Sequence, residues 1–215
     1  MSEIVVRDLG RRGLAGVWAD MQRFTAERTA TTPDEIWFVE HDPVFTLGLN
    51  ADPAHLLAPG DIEVVQIDRG GQVTYHGPGQ LVAYVLLDLR RRGFDIRRLV
   101  TALEDAVIAT LRPFGLDAYG RRDAPGVYLD GRKFAALGLR VRRSCTYHGL
   151  AVNVAMDLEP FSRINPCGHA GLEVTELAAH APFSGIDEYR PVLEAELRRA
   201  LDGLGAAQAA VSAAE

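Results

Sequence analysis

The sequence predicts one α/β domain of the α+β kind, built on a mixed, largely antiparallel central sheet flanked by helices. Three observations carry this expectation. Residues 81–87 form an almost unbroken apolar run, the pattern of a buried strand. Asp130-Gly131 stands between two strand-like runs and reads as a tight hairpin turn. Two segments, 14–30 and 95–112, repeat apolar residues at helical spacing.

Taken in order, residues 3–8 read as a short strand. Leu14, Val17, Trp18, Met21 and Phe24 give 14–30 the stripe of an amphipathic helix. Strands follow at 35–40, 43–47 and 62–68, and a glycine-rich segment, 69–80, leads into the strand at 81–87. Ile96, Leu99, Leu103, Val107 and Leu111 line one side of the helix at 95–112. From 117 to 154 the pattern is again that of strands, with 133–142 as the second hairpin arm and 147–155 beyond it. Residues 157–173 read as an irregular loop, and a last helix covers 187–203. Residues 1–204 are thus expected to form a single domain and the alanine-rich 205–215 a frayed tail.

A chain of 215 residues can bury a sizeable core. Its net charge of −6 argues against a general nucleic-acid binder, and no apolar run has the length of a membrane span. The start, MSEIVVRDLG, lacks the basic and apolar segments of an export signal, so the cytoplasm is the expected location. Cys145 and Cys167 are then reduced thiols rather than a disulfide framework. The arginines cluster at 90–92, 97–98, 121–122 and 140–143. They are either solvated faces or a basic patch that steers an acidic protein partner.

Two segments carry candidate chemistry. In Asn165-Pro166-Cys167-Gly168-His169-Ala170-Gly171 the proline presets the backbone before the cysteine, and Gly168 permits a sharp turn after it. Such a turn presents a sulfur to a cleft; the alternative is a small buried hydrophobe. Cys145 has no comparable turn and reads as packing or surface. In Gly131-Arg132-Lys133-Phe134-Ala135-Ala136-Leu137-Gly138 the lysine is either a solvated edge charge or a buried functional amine. The small residues after it leave room for a substrate against the backbone. The glycine-rich segment has neither the G-x-x-x-x-G-K-[ST] nor the G-x-G-x-x-G pattern. It reads as a mobile loop or as a substrate-binding lip. The six histidines show no H-E-x-x-H spacing, so no metal site is expected, and without a G-x-S-x-G elbow neither is a serine nucleophile.

Four motifs together resemble the lipoyl(octanoyl) transferase family: Arg69-Gly70-Gly71-Gln72-Val73-Thr74-Tyr75-His76-Gly77-Pro78-Gly79-Gln80, the Gly131–Gly138 strand, Tyr147-His148-Gly149-Leu150-Ala151-Val152-Asn153, and Arg163-Ile164-Asn165-Pro166-Cys167-Gly168. They stand in the family's order and spacing across 35–180. The resemblance implies the fold of the biotin/lipoate protein ligase catalytic domain. It implies transfer of an octanoyl group from acyl carrier protein to a lysine of a lipoyl domain. The acceptors would be the lipoyl domains of 2-oxoacid dehydrogenase complexes and the glycine cleavage H protein. It implies Cys167 as the acyl-thioester nucleophile and Lys133 as its dyad partner. It further implies an acyl site lined by Arg69, Gly70, Gly71, Gln72, Val73, Thr74, Tyr75 and His76, by Ala136, Leu137 and Gly138, and by Gly149, Leu150 and Ala151. No cofactor is expected, because the acyl group arrives on the carrier's phosphopantetheine, and neither nucleic acid nor membrane is an expected partner. Phe134 departs from the smaller aliphatic residue expected after the lysine.

An ammonium beside the thiol would favour the thiolate, and backbone donors at Gly138 and near Cys167 would receive the oxyanion. The competing readings are an ATP-dependent lipoate or biotin ligase of the same fold, a non-catalytic acyl- or lipoyl-protein binding module, and a cysteine hydrolase using His148 or His169.

Overall fold

The computed structural model describes residues 3–212, with side chains through Leu204. β1 (Ile4–Arg12) is followed by α1 (Leu14–Glu27), which carries the chain over to β2 (Asp34–His41). β3 (Val44–Leu47), β4 (Glu63–Gln66) and β5 (Thr74–His76) precede β6 (Gln80–Leu86). A short α2 (Leu89–Arg92) leads to α3 (Ile96–Leu111). β7 (Ala118–Gly120), β8 (Gly126–Leu129), β9 (Arg132–Arg142) and β10 (Cys145–Asn153) follow, and α4 (Ile186–Ser212) closes the chain.

The main sheet has seven strands in the order β1-β2-β6-β10-β9-β8-β7. Only β1 and β2, which are joined across α1, pair in parallel. A second sheet of three strands, β4-β3-β5, carries the glycine-rich segment. The mixed, largely antiparallel sheet is therefore as expected.

The apolar run of β6 has a two-sided explanation. Leu81, Ala83 and Val85 face one core cluster with Ile36 and Phe38 of β2, covered by Leu99, Leu103 and Val107 of α3 and by Tyr189, Leu193 and Leu197 of α4. Val82, Tyr84 and Leu86 face a second cluster, with Val17 and Met21 of α1. Strand alternation sends successive side chains to opposite faces, so a strand covered on both sides must be apolar at every position.

The helices differ from the expectation at their ends. α1 stops at Glu27, and the side chain of Arg28 turns inward to Asp34. α2 is too short to show a period, yet Asp88 caps it by accepting from the Arg91 amide at 3.0 Å. α3 begins after Asp95, which accepts from the Arg98 amide at 2.9 Å. α4 runs to Ser212 rather than 203, so 205–212 of the expected tail continue the helical backbone. The remaining 213–215 lie outside the described residues. No helix among the described residues is long and apolar enough to cross a membrane.

Asp34 organises the edge of this frame. Its fully buried carboxylate accepts from Arg28 at 2.5 Å and from Arg91 and Arg92 at 2.6 Å each. It also takes the Asp88 amide at 2.9 Å. Burial pushes the carboxyl up, but the arginines and the amide hold it below its ordinary range. Two members of the first arginine cluster, Arg91 and Arg92, are thus committed to an internal ion cluster rather than to a docking patch. Breaking a buried ion cluster from one side strands its charges. Asp34→Ala is expected to lower stability by about 3–5 kcal/mol. Urea unfolding measures this, and an unchanged midpoint would mean that the arginines reach water instead.

Candidate active site

Cys167 lies in a one-turn 3₁₀ segment, Pro166–Gly168, at φ 56° and ψ 19°. This is the left-handed region, which costs a residue bearing Cβ roughly 1–2 kcal/mol. The surroundings hold it there. The Gly168 amide donates to Asn165 at 3.0 Å, the His169 amide to Pro166 at 3.1 Å and the Asn165 amide to His55 at 2.8 Å. Gly168 is itself left-handed, and a Cβ on it would meet His55 Nε2 at 3.1 Å and Gln72 Cγ at 3.2 Å. Only glycine turns the chain so tightly against these side chains.

Lys133 is 3% exposed, which removes the solvated-edge reading. Its Nζ donates to Cys167 Sγ at 2.9 Å and to the Pro125 carbonyl at 3.0 Å, and it stands 5.1 Å from the centre of the Tyr128 ring. A bulge aims it. Tyr128 pairs with Lys133 and Val127 with Ala135, so Phe134 is an extra residue in β9. Phe134 and Ala135, neighbours in sequence, both enter the main core. Phe134 therefore packs behind the site while Lys133 reaches the sulfur. The backbone of Lys133 is tied to the cysteine's own loop, since its amide donates to Glu173 at 2.9 Å and its carbonyl accepts from Thr175 at 3.0 Å.

Beside Cys167 lies an apolar pocket. Arg69, Gly71, Gln72, Val73, Thr74 and His76 line one wall, Ala136, Leu137 and Gly138 of β9 a second, and Gly149, Leu150 and Ala151 of β10 a third. Two of the expected lining residues stand apart. Tyr75 points to the other side of β5, where its ring lies 5.5 Å from that of Phe45 and 5.6 Å from that of Phe161. Gly70 supports the wall from outside, donating its amide to Leu139 at 3.0 Å. Sequence reading missed Ile67, Val82, Tyr84 and His148 as lining residues. Alternation along β6 pairs Val82 with Tyr84 and was available as a signal. His148 was hidden, because it is left-handed at φ 60° within a strand. That kink puts Tyr147 and His148 on the same side, their rings stacked at 5.0 Å and both on Asp68.

The polar groups of the pocket are tied by hydrogen bonds and shifted by burial. Asp68 accepts from His148 at 3.0 Å, from Trp18 at 2.9 Å and from the Tyr147 hydroxyl. Burial opposes its charge, but these donors hold its carboxyl well below the usual range. Burial pushes His148 down, and it pushes the Tyr147 phenol up to about 12 with help from Asp68. His76 donates Nδ1–H to Gln80 Oε1 at 2.6 Å, a tautomer assigned from Gln80's own donation to Asn153 at 2.9 Å. Burial lowers His76 to about 3, so it is neutral near pH 7. Arg69 has only neutral partners, Thr46 at 2.7 Å and 2.8 Å and the Gly70 carbonyl at 2.9 Å, and burial lowers it to about 10.

Neither His148 nor His169 takes the place a hydrolase base would need. The hydrogen bond that Sγ receives comes from Lys133, His148 is committed to Asp68, and His169 is exposed. Cys145 is a buried thiol directed at the Arg143 carbonyl, and burial pushes it up. Among the described residues no group of three or more His, Cys, Asp and Glu is arranged to hold a metal ion.

The lipoyl protein ligase A/B catalytic domain model matches residues 16–198. An octanoyltransferase of Pseudomonas fluorescens strain Pf0-1 is 58% identical over 196 residues, covering 91% of each chain. An octanoyltransferase of Methylococcus capsulatus is 62% identical over 173 residues, covering 80% of this chain and 84% of that one. The structure of a bipartite lipoate protein ligase and its E2 lipoyl domain from Thermoplasma acidophilum matches at a TM-score of 0.77 and 19% identity, over 94% of this chain and 85% of that chain. Biotin protein ligase from Aquifex aeolicus matches at a TM-score of 0.55 and 10% identity, over 95% of this chain and 72% of that chain. At these identities the solved structures speak for the fold, which is that of the lipoate and biotin ligases. By sequence, the chain belongs to the lipoyl protein ligase A/B catalytic-domain family and, within it, to the octanoyltransferases.

Proposed function

We propose that this chain moves an octanoyl group from the phosphopantetheine thioester of acyl carrier protein to a lysine of a lipoyl domain, through a thioester on Cys167. The acceptors are the lipoyl domains of 2-oxoacid dehydrogenase complexes and the glycine cleavage H protein. The observation that carries the reading is the 2.9 Å contact from Lys133 Nζ to Cys167 Sγ beside an apolar pocket. An ammonium donating to sulfur stabilises the thiolate, the nucleophilic form. Arg69, a second buried cation, interacts favourably with the same sulfur.

The thiolate attacks the carrier's thioester carbonyl. The carbon–sulfur bond to the carrier breaks, and the departing thiolate takes a proton from Lys133. Cys167 now holds the acyl group and Lys133 is a neutral amine. The acceptor's neutral amine then attacks the Cys167 thioester. Its proton passes to Lys133, the carbon–sulfur bond breaks, and the ammonium–thiolate pair is restored. The octanoyl chain lies along Val73, Leu137, Leu150 and their neighbours, where each buried methylene contributes about 0.8 kcal/mol. Of the amides around the cysteine, that of Cys167 is the most loosely held, donating to Val73 at 3.4 Å. It is the one a tetrahedral oxyanion can recruit with least disruption. Exchange of one thioester for another is nearly balanced, and thioester to amide runs downhill, so the cycle requires neither ATP nor a metal. That requirement distinguishes it from the ligase reading, and the buried Cys167–Lys133 contact supports it over a non-catalytic binding module.

Intact-protein mass spectrometry after incubation with octanoyl-acyl carrier protein is expected to find an octanoyl adduct on Cys167 that hydroxylamine removes. Adduct and turnover should vanish in Cys167→Ala and persist in Cys145→Ser, with ATP omitted and a chelator present. Turnover that stops when ATP is withdrawn would favour the ligase reading instead.

Lys133→Met removes both charge and proton relay and is expected to lower kcat by roughly 10²-fold or more. Lys133→Arg keeps the charge but cannot deprotonate. In single-turnover experiments it should form acyl-enzyme more slowly, because the carrier's thiolate must then take its proton from water, and should stall when the lipoyl domain is added. Wild-type rates in both half-reactions of Lys133→Arg would refute the proton relay.

A further inference from the structure

Glu104 lies on α3, outside the pocket and outside every motif singled out in the sequence. It is half-buried, and its Oε1 accepts the Gly126 amide at 2.8 Å. That amide belongs to the same peptide unit as the Pro125 carbonyl, the second acceptor of Lys133 Nζ at 3.0 Å. The N–H and C=O of a trans peptide are coplanar and point in opposite directions. Fixing the Gly126 N–H on one side therefore aims the Pro125 carbonyl at Lys133 on the other.

The surroundings are shaped for this relay. A Cβ on Gly120, the last residue of β7, would come within 2.9 Å of Glu104 Oε2, so its absence leaves space for the carboxylate. Gly126 sits at φ 147°, and a Cβ there would meet the Ala135 carbonyl at 2.6 Å and Lys133 Nζ at 3.0 Å. The preceding carbonyl, that of Ala124, is held by the Tyr128 hydroxyl at 2.7 Å, and the Tyr128 ring lies against the ammonium. The loop is thus pinned on each side of Pro125. Burial pushes the Glu104 carboxyl up, with Asp105 adding to it, while the Gly126 amide and Lys133 draw it down. A position that resists its own charge in this way gains little for the fold from a carboxylate.

Resting on the Cys167–Lys133 reading above, we infer that Glu104 is a positioning residue of that pair: it holds the Pro125–Gly126 peptide so that the Pro125 carbonyl and Cys167 Sγ together fix the Lys133 ammonium. It touches neither substrate nor sulfur. It acts as a hydrogen-bond acceptor of a particular reach, so glutamine can replace it and the shorter aspartate cannot.

The experiment compares Glu104→Gln, Glu104→Asp and Glu104→Ala in the full chain carrying Cys145→Ser. The readouts are the rate of Cys167 alkylation by iodoacetamide near neutral pH, kcat and KM for octanoyl-acyl carrier protein, and the melting temperature. The alanine and aspartate variants are expected to lose roughly tenfold in alkylation rate and kcat, the worth of one hydrogen bond, with KM unchanged. The glutamine variant should stay within about threefold of the parent. Parent rates in Glu104→Asp, or a glutamine variant as slow as the aspartate, would overturn the inference, even if the alanine variant fails to fold. A lowered melting temperature with parent alkylation and kcat would reduce Glu104 to a structural residue. A parent protein that forms no acyl-enzyme on Cys167 would overturn the underlying mechanism as well, and that outcome is read before any variant is made.

Discussion

A lysine ammonium taken out of water must be given partners, and most of the site follows from how Lys133 is given them. Its side chain ends on the Cys167 sulfur, the Pro125 carbonyl and the face of Tyr128. Each partner demands its own backbone device. The sulfur arrives through a left-handed Cys167 followed by a left-handed Gly168. The lysine arrives through an extra residue, Phe134, in β9. The carbonyl is turned by a loop whose neighbouring groups are held by Tyr128 and Glu104. The 173–175 segment then pairs with Lys133 and joins the Cys167 loop to the lysine's strand. A buried charge is costly unless its partners are already in position, so these devices stand or fall together.

The remaining polar groups of the pocket are arranged so that they do not compete for this role. His76 is neutral and tied to Gln80, His148 is tied to Asp68, and His41, behind the lining, is lowered by burial and bonded to Tyr84 at 2.6 Å. An imidazole free to titrate near neutrality beside a thiolate would offer a general base to water, and a thioester there would hydrolyse. With these imidazoles bonded elsewhere, Lys133 is the side chain that donates a hydrogen bond to the sulfur. Arg69, also buried, adds positive potential without a proton it can readily give up.

The fold was legible where burial imposes a period. The two-sided burial of β6, the stripes of α1 and α3 and the Asp130-Gly131 turn all leave a pattern in the residue types, because water exclusion acts at every repeat. That Cys167 and Lys133 belong together was legible through motif order and through the turn chemistry of Pro166 and Gly168, and the structure brings the two into contact. What was illegible depends on single dihedrals or single partners. The faces of Tyr75 and His148 are set by register and by one left-handed residue. The inward turn of Arg91 and Arg92 is set by Asp34, which lies far away in sequence. The four residues of α2 offer too little repeat to detect, and alanines after 203 extend α4 because their intrinsic preference is helical whether or not they pack.

Glu104 marks the limit of what a motif can reveal. Its chemistry is ordinary for a helix residue on the flank of the apolar stripe. Its link to Lys133 passes through one peptide group, and a peptide group has no residue identity to read. The two glycines that make room, Gly120 and Gly126, look in the sequence like loop punctuation, although the space each leaves is filled by a charged side chain. Groups that position a catalytic residue through the backbone are therefore found by asking where each buried N–H and C=O goes, because that accounting is complete in a folded protein while side-chain motifs are not. Applied to the Pro125–Gly126 unit, it connects a helix, a loop and a strand to the same lysine, which in turn donates to the Cys167 sulfur.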